Sequence, residues 1–281
     1  MNNHEMEQVI HDIYDSLEKN NFSTLGKPEA PLWDRPLIGI AAGSDPYYDY
    51  LKEHIGPFHW SPAEVFQLKY PGPVLKEKLF VVSMVFPQAA ETKLAQSKEK
   101  KRPCREWIVS RGEWEPLMKE FSGKLVEKLA GMGIRSVSID LLPEFCTIRS
   151  KKLGHASKWS HRHSAYAAGL GTFGLSQGLI TEKGKAVRIT SLIVEAELLP
   201  SVRPYSAYNE WCLYFRNGSC GACMKRCPAG AITADGHDKE ACDAYEEFFA
   251  ERYWPEDIER GDYILGCGLC QAGVPCQNQK P

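Results

Sequence analysis

The chain has 281 residues, 43% of them hydrophobic and 25% charged, with a formal net charge of −2. That length accommodates two domains of ordinary globular composition. The charge balance gives no support to an extended phosphate-binding surface, although a local basic patch is left open. No run approaches the roughly eighteen apolar residues of a membrane span. The acidic, amphipathic start MNNHEMEQVIHDIYDSLEKNN is unlike a basic signal peptide, and neither a twin-arginine nor a lipid-anchor signal stands there. A cytoplasmic location with no membrane partner is expected.

Residues 5–20 carry Met6, Ile10, Ile13, Tyr14 and Leu17 at helical spacing, which predicts a packed helix. Leu37 to Ala41 reads as a short buried strand. The aromatic-, Gly- and Pro-rich stretch from Gly43 to Pro73 reads as short helices and loops. Lys78 to Phe86 is a strongly apolar strand, and Lys93 to Arg105 is a charged, solvated face or loop. Leu117, Met118, Phe121, Leu125, Val126 and Leu129 put one apolar side on a long helix from Trp114 to Met132, ended by Gly131 and Gly133. A strand, Ser136 to Asp140, follows. This alternation of helix and strand predicts an α/β domain.

The segment Trp159 to Gly174 begins as a helix and ends in glycines. Gly169, Gly171 and Gly174 have the spacing G-x-G-x-x-G. A dinucleotide site needs a strand before this pattern and a helix after it. Here a helix precedes and a strand, Gly178 to Thr181, follows, so a Rossmann site is rejected. The glycines imply a tight backbone that something large can approach. Thr181 to Gly184 then reads as a turn between two strands, the second running from Arg188 to Val194. His161 and His163 flank Arg162; two residues apart, they cannot share a helix face, which argues against a paired metal site. The plain alternative for each is a partly buried polar contact, and for Asp140 a strand-ending acid that caps a turn.

Eight of the ten cysteines lie between Cys212 and Cys276. Eight thiolates are the number needed for two [4Fe–4S] clusters, and in two-cluster ferredoxins a cysteine before proline crosses to the other cluster. A short Cys-x-x-Cys turn reaches neighbouring irons of one cube, and the far corner must come from distant chain. This assigns Cys220, Cys223 and Cys276 to one cluster, and Cys227 (before Pro228), Cys242, Cys267 and Cys270 to the other. The usual first cysteine, three residues before Cys220, is replaced by Asn217, so Cys212 is inferred to reach in. Zinc on Cys220, Cys223, Cys267 and Cys270 is the rival. It leaves Cys227, Cys242 and Cys276 without a role. Disulfides would close very tight loops. Cys104 and Cys146 fall outside the pattern and read as small buried hydrophobes.

The order of strand with Asp140-Leu-Leu-Pro143, helix into Ala167-Ala-Gly-Leu-Gly171, strand hairpin, Cys220-Gly-Ala-Cys223-Met-Lys-Arg-Cys227-Pro228 and Cys267-Gly-Leu-Cys270 resembles the epoxyqueuosine reductases, relatives of the corrinoid-dependent reductive dehalogenases. The resemblance implies an α+β chain. Its first domain (1–200) is α/β and nitroreductase-like and takes a base-off cobalamin; its second (201–281) is ferredoxin-like and holds two [4Fe–4S] clusters. It further implies that Asp140 is the proton donor, with His161 and His163 as alternative donors, and that Arg162, Gly169, Leu170 and Gly171 lie toward the cofactor. Three features depart from the pattern: residues 145–160 look inserted, Gly174-Leu-Ser176 replaces the usual Gly-Lys-Asn, and Thr172-Phe173 replaces the usual Gly-Trp. The helical region that often follows the second cluster is not seen in the five residues after Cys276. The expected function is a two-cluster, cobalamin-dependent reductase fed by a low-potential ferredoxin- or flavodoxin-type donor, acting on a small molecule or modified nucleoside. A non-catalytic electron carrier or activator of a corrinoid partner, and a true epoxyqueuosine reductase acting on transfer RNA, are the alternatives.

Overall fold

The computed structural model describes residues 1–150, 154–259 and 266–281. In chain order, α1 (Asn3–Asp15) leads to β1 (Leu37–Ala42), α2 (Pro46–Ile55), α3 (Pro62–Lys69) and β2 (Leu79–Pro87). Then come α4 (Ala90–Lys98), α5 (Arg105–Gly112), α6 (Trp114–Gly131) and β3 (Ser136–Ser138). A small hairpin, β4 (Thr147–Ser150) and β5 (Gly154–Ser157), precedes α7 (His161–Ala167). After β6 (Gly171–Phe173), β7 (Leu179–Thr181) and β8 (Val187–Glu195), the cysteine-rich segment holds α8 (Leu213–Asn217), α9 (Ala222–Arg226), β9 (Ile232–Thr233), β10 (Gly236–His237), α10 (Lys239–Tyr253) and α11 (Pro255–Glu259).

Four strands form the central sheet in the order β1-β2-β8-β3. All three pairings are antiparallel. Helix and strand do mix as expected, yet every neighbouring pair in the sheet is antiparallel; β3 runs in the direction of β2 but is separated from it by β8. The nine residues of β2 are all buried because helices cover both faces. Side chains alternate across a strand: Phe80, Val82, Met84 and Phe86 face α1 and α6, where Met6, Ile10, Phe121 and Leu125 complete one core. Val81 and Ile193 of β8 face the other way and pack with Val65 and Phe66 of α3 and Ala167 of α7. Local signals agree with this packing. Asn2 and Glu5 form a capping box on α1, as Ser61 and Glu64 do on α3 with Pro62 in its first turn.

Four expectations are revised or refined. First, β3 ends at Ser138 because Ile139–Leu141 tightens into a 3₁₀ turn, which aims the Asp140 carboxylate back at β8. Second, the Thr181–Gly184 turn does stand between two strands, but those strands belong to different sheets. β7 pairs with β6, and β8 joins the central sheet. Third, Lys93 to Arg105 is not a solvated face throughout. Thr92, Lys93 and Gln96 of α4 are buried, and the Gln96 amide donates to the Cys267 carbonyl at 2.8 Å while accepting from the Cys104 amide. Fourth, Cys104 is buried as expected but Cys146 is exposed, because it lies just before β4 of the two-stranded hairpin, outside the central sheet. Within the apparent insertion, residues 151–153 lie outside the described residues.

Candidate functional site

The cysteine-rich segment is fastened to the rest of the chain beside α4 and α5. The Trp107 indole donates to the Gly266 carbonyl at 2.9 Å, and Arg226 donates to the carbonyls of Leu269, Ser97 and Gln96. Gly268, at φ +62°, sits so close to Trp107 that a Cβ there would lie 2.1 Å from the indole ring. Only glycine permits both that backbone and that contact.

Two cavities divide the eight cysteines. Cys212, Cys220, Cys223 and Cys276 line one, on a bed of Leu175, Ile180 and Val274. Asn217 is not in its wall; its carboxamide oxygen instead accepts from the Ser219 amide and hydroxyl. Cys227, Cys242, Cys267 and Cys270 line the other, a space of about 590 Å³ that also takes in Trp107, Arg111, His161 and Arg162. That volume is within the roughly 300–1,000 Å³ usual for ligand and cofactor sites.

The chemistry of these thiols fits a cluster. Burial pushes Cys242 up to about 12 and holds Cys223, Cys267, Cys270 and Cys276 above the ordinary thiol value. A thiolate at these depths therefore needs a strong cationic partner, which coordinated iron is. Among the described residues no three His, Cys, Asp or Glu side chains gather tightly enough for a single ion.

Lys185 stands in the walls of both cavities and is 2% exposed. Its ammonium donates to the Ser176 hydroxyl at 2.9 Å, and its backbone amide donates to the Cys276 carbonyl at 2.8 Å. Burial works against the charge, but the thiols of Cys276, Cys270, Cys223 and Cys212 outweigh it and raise the pKa above the ordinary lysine value.

Asp140 and His161 meet where the 3₁₀ turn faces α7. His161 Nε2 is 3.7 Å from Asp140 Oδ1, and Asp140 Oδ2 accepts from the Thr190 hydroxyl. Ser191 lies beneath them. It accepts from the Trp159 indole N–H at 2.8 Å and pairs with His161 Nδ1 at 2.7 Å. The direction of that last hydrogen bond follows the imidazole tautomer. Nε2 faces Asp140 without a hydrogen bond. Burial lowers the His161 pKa, and Asp140 opposes that fall only in part.

His163 goes elsewhere. Its ring packs on Phe173 at 4.8 Å in an aromatic cluster with Tyr166 and Tyr208, and its Nδ1 pairs with Ser160 at 2.7 Å. Burial, with the Arg162 charge next, lowers its pKa to about 3. Arg162 enters the larger cavity and donates to the Gln177 carbonyl at 2.6 Å. Gly169, Leu170 and Gly171 make close contacts with the chain itself. A Cβ on Gly169 would meet the Val202 carbonyl, one on Gly171 the Ile180 carbonyl, and Leu170 covers Gly39. The structure thus brings His161 and Arg162 into the cavity of the second cysteine set, leaves Asp140 beside His161 but outside that wall, and places His163 and the glycines away from it. Sequence reasoning did not find Lys185, Ser191, Thr190 or Trp159, since none belongs to a spaced motif.

Residues 216–276 match the family described as "4Fe-4S double cluster binding domain", a range that begins after Cys212. The chain is 24% identical to epoxyqueuosine reductase of Bacillus subtilis (strain 168) over 214 residues, 73% of this chain and 48% of that protein. It is 25% identical to the Bacillus anthracis epoxyqueuosine reductase over 71% of this chain and 48% of that one. It spans about half the length of these relatives. The fold is similar to that of the epoxyqueuosine reductase solved with an epoxyqueuosine-modified tRNA stem loop (TM-score 0.50, 18% identity, 97% of this chain and 66% of that one). It is also similar to that of a catabolic reductive dehalogenase solved with 3-bromo-4-hydroxybenzoic acid (TM-score 0.53, 15% identity, 90% of this chain and 30% of that one). The resemblance read from the motifs is borne out as similarity: the chain is similar in sequence to epoxyqueuosine reductases, shares a fold with them and with reductive dehalogenases, and carries a match to the double [4Fe–4S] cluster-binding domain over residues 216–276.

Proposed function

We propose that the chain is an iron–sulfur reductase. In this reading residues 1–200 form the cofactor and substrate domain, and residues 201–281 carry electrons. Cys212, Cys220, Cys223 and Cys276 hold one cluster; Cys227, Cys242, Cys267 and Cys270 hold the other. The observation that carries the proposal is the sharing of one cavity by the second cysteine set, His161 and Arg162. Electrons that reach those cysteines arrive at a chamber already furnished with a cation and, through His161, a proton-bearing pair.

A corrinoid, when bound, would supply the low-valent metal centre that reduces the substrate. Trp107, Phe145 and Trp159 would wall it from water, and Arg162 would face its polar periphery or the substrate's. Asp140 and His161 would hold the proton that accompanies the electrons. The electron donor would be of low-potential ferredoxin or flavodoxin type. Among the described residues no helix is long and apolar enough to cross a membrane. The reading of a plain electron carrier is disfavoured by the cavity, for which a carrier has no use.

A second reading, action on transfer RNA, is supported by the similarity to epoxyqueuosine reductases, one of them solved with a tRNA stem loop. Anaerobic purification with iron, sulfide and cobalt analysis tests the proposal. About eight irons per chain with retained cobalamin is the expected result, followed by turnover assays that include epoxyqueuosine-containing RNA. Full iron without cobalamin binding refutes the corrinoid part, and zinc in place of iron refutes all of it.

A further inference from the structure

The side chain of Lys185 is buried, stands in the wall of both cysteine-lined cavities, and has a hydroxyl as its hydrogen-bond acceptor. It shares one cavity wall with Cys276, Cys223 and Cys212, and the other with Cys270. Burying an ammonium without compensation is costly, so a position like this one needs a reason.

Its backbone is equally fixed. Lys185 leaves the Thr181–Gly184 turn, where Gly184 at φ +84° is so close to the C-terminal segment that a Cβ would lie 2.2 Å from the Gln277 carbonyl. The Lys185 amide is bonded to Cys276 itself. The first part of the chain therefore delivers one cation to the partition between two sulfur-lined chambers.

We propose that Lys185 is an electrostatic bridge between the two clusters, a fixed cation that favours the reduced state of both and thereby sets the potentials at which electrons cross the partition. The proposal rests on the two-cluster part of the function proposed above. Each cluster gains one negative charge when it accepts one electron, and no proton need move. A positive charge held nearby in a medium of low dielectric constant stabilises that added charge. Net local charge and hydrogen bonding are among the factors that set cluster potentials. Because Lys185 lines both cavities, one side chain raises both midpoints, where a cation beside a single set would raise one. Lys185 is thus a positioning residue for electrons, and touches no substrate.

The test is a potentiometric titration of the anaerobically purified full chain, followed by low-temperature EPR, with iron counted per chain. Lys185→Gln and Lys185→Met remove the charge, and Lys185→Arg keeps it. Both midpoints should fall in the neutral variants by at least a tenfold loss in the one-electron reduction equilibrium, about 59 mV. Lys185→Arg should restore most of the difference. Unchanged midpoints in a neutral variant with full iron overturn the proposal, and so does a fall confined to one cluster. If both neutral variants lose iron while Lys185→Arg keeps it, Lys185 serves assembly and the tuning role is withdrawn. Wild-type chain with far fewer than about eight irons instead overturns the two-cluster reading from which this one starts.

Discussion

His161 points its Nε2 at Asp140 Oδ1 across 3.7 Å, and Ser191 on the far side of the ring holds Nδ1 at 2.7 Å. The gap to the carboxylate is longer than a hydrogen bond, so the two groups face each other without a direct bond. Asp140→Asn keeps the acceptor for the Thr190 hydroxyl but removes the charge. It should leave iron content and folding near wild type and cut substrate reduction by about 10²–10⁴-fold, the usual worth of a positioned acid. It should also lower the His161 pKa further, since Asp140 acts to raise it. Ser191→Ala strands the Trp159 N–H and His161 Nδ1 together, and should cost on the order of 2 kcal/mol in chemical denaturation. Wild-type turnover in Asp140→Asn would remove Asp140 from the chemistry.

Cys212 lines the cavity that Asn217 does not reach. Cys212→Ser should therefore damage one cluster and spare the other. The expected signature is loss of about one to four irons per chain, with a [3Fe–4S] signal in the oxidised protein if three ligands still hold the cluster. Cys276→Ser should reproduce it in the same cluster, and Asn217→Ala should leave both intact. An iron content unaffected by Cys212→Ser would return that cysteine to the role of a core side chain.

The division of the cysteines was legible because ligand spacing is a local property: Cys-x-x-Cys turns, and a Cys-Pro that faces the other way. The long helix α6 and the strand β2 were equally plain, one by its period and the other by its unbroken apolar run. Asp140 could be found at a strand end, but not its environment. Thr190 lies 50 residues away and is brought to it by the pairing of β3 with β8. Trp159 and Ser191 are 32 residues apart and meet only when α7 packs on the sheet. Lys185 carries no motif, since its meaning lies in two cavities built largely by chain that follows it. The sheet to which each strand beside Thr181–Gly184 belongs was hidden for a similar reason. Turn chemistry at Thr181–Gly184 announces a reversal, but it cannot say that β6 will claim β7 before β8 does.

Cys104 and Cys146 should separate cleanly under alkylation. Burial lifts Cys104 to about 12 and closes it from solvent, whereas Cys146 is exposed. The thiolate is the reacting species and needs access. Iodoacetamide on the folded, cluster-loaded chain should label Cys146 alone among these two, with Cys104 reacting only after denaturation. Peptide mapping reads the result. Native labelling of Cys104 at a comparable rate would mean that α4 and α5 open readily where they hold the cysteine segment.

His163 makes stability depend on pH with a definite sign. Its folded pKa is about 3, against an ordinary value of 6.5, because burial and the neighbouring Arg162 charge disfavour the imidazolium. Between those two values the unfolded chain binds the additional proton. The stabilisation from neutral His163 is therefore complete above about pH 6.5 and declines as pH falls through the window, by at most about 1.4 kcal/mol per pH unit. His163→Phe keeps a ring against Phe173 and abolishes the titration. Denaturation midpoints taken from about pH 7.5 down to about pH 5.5 should fall less steeply in the variant than in wild type. Acid loss of the clusters burdens both proteins alike, so the difference between the two slopes isolates the histidine. Parallel slopes would mean that His163 accepts a proton in the folded chain as easily as in water, and that the aromatic cluster around it is open to solvent.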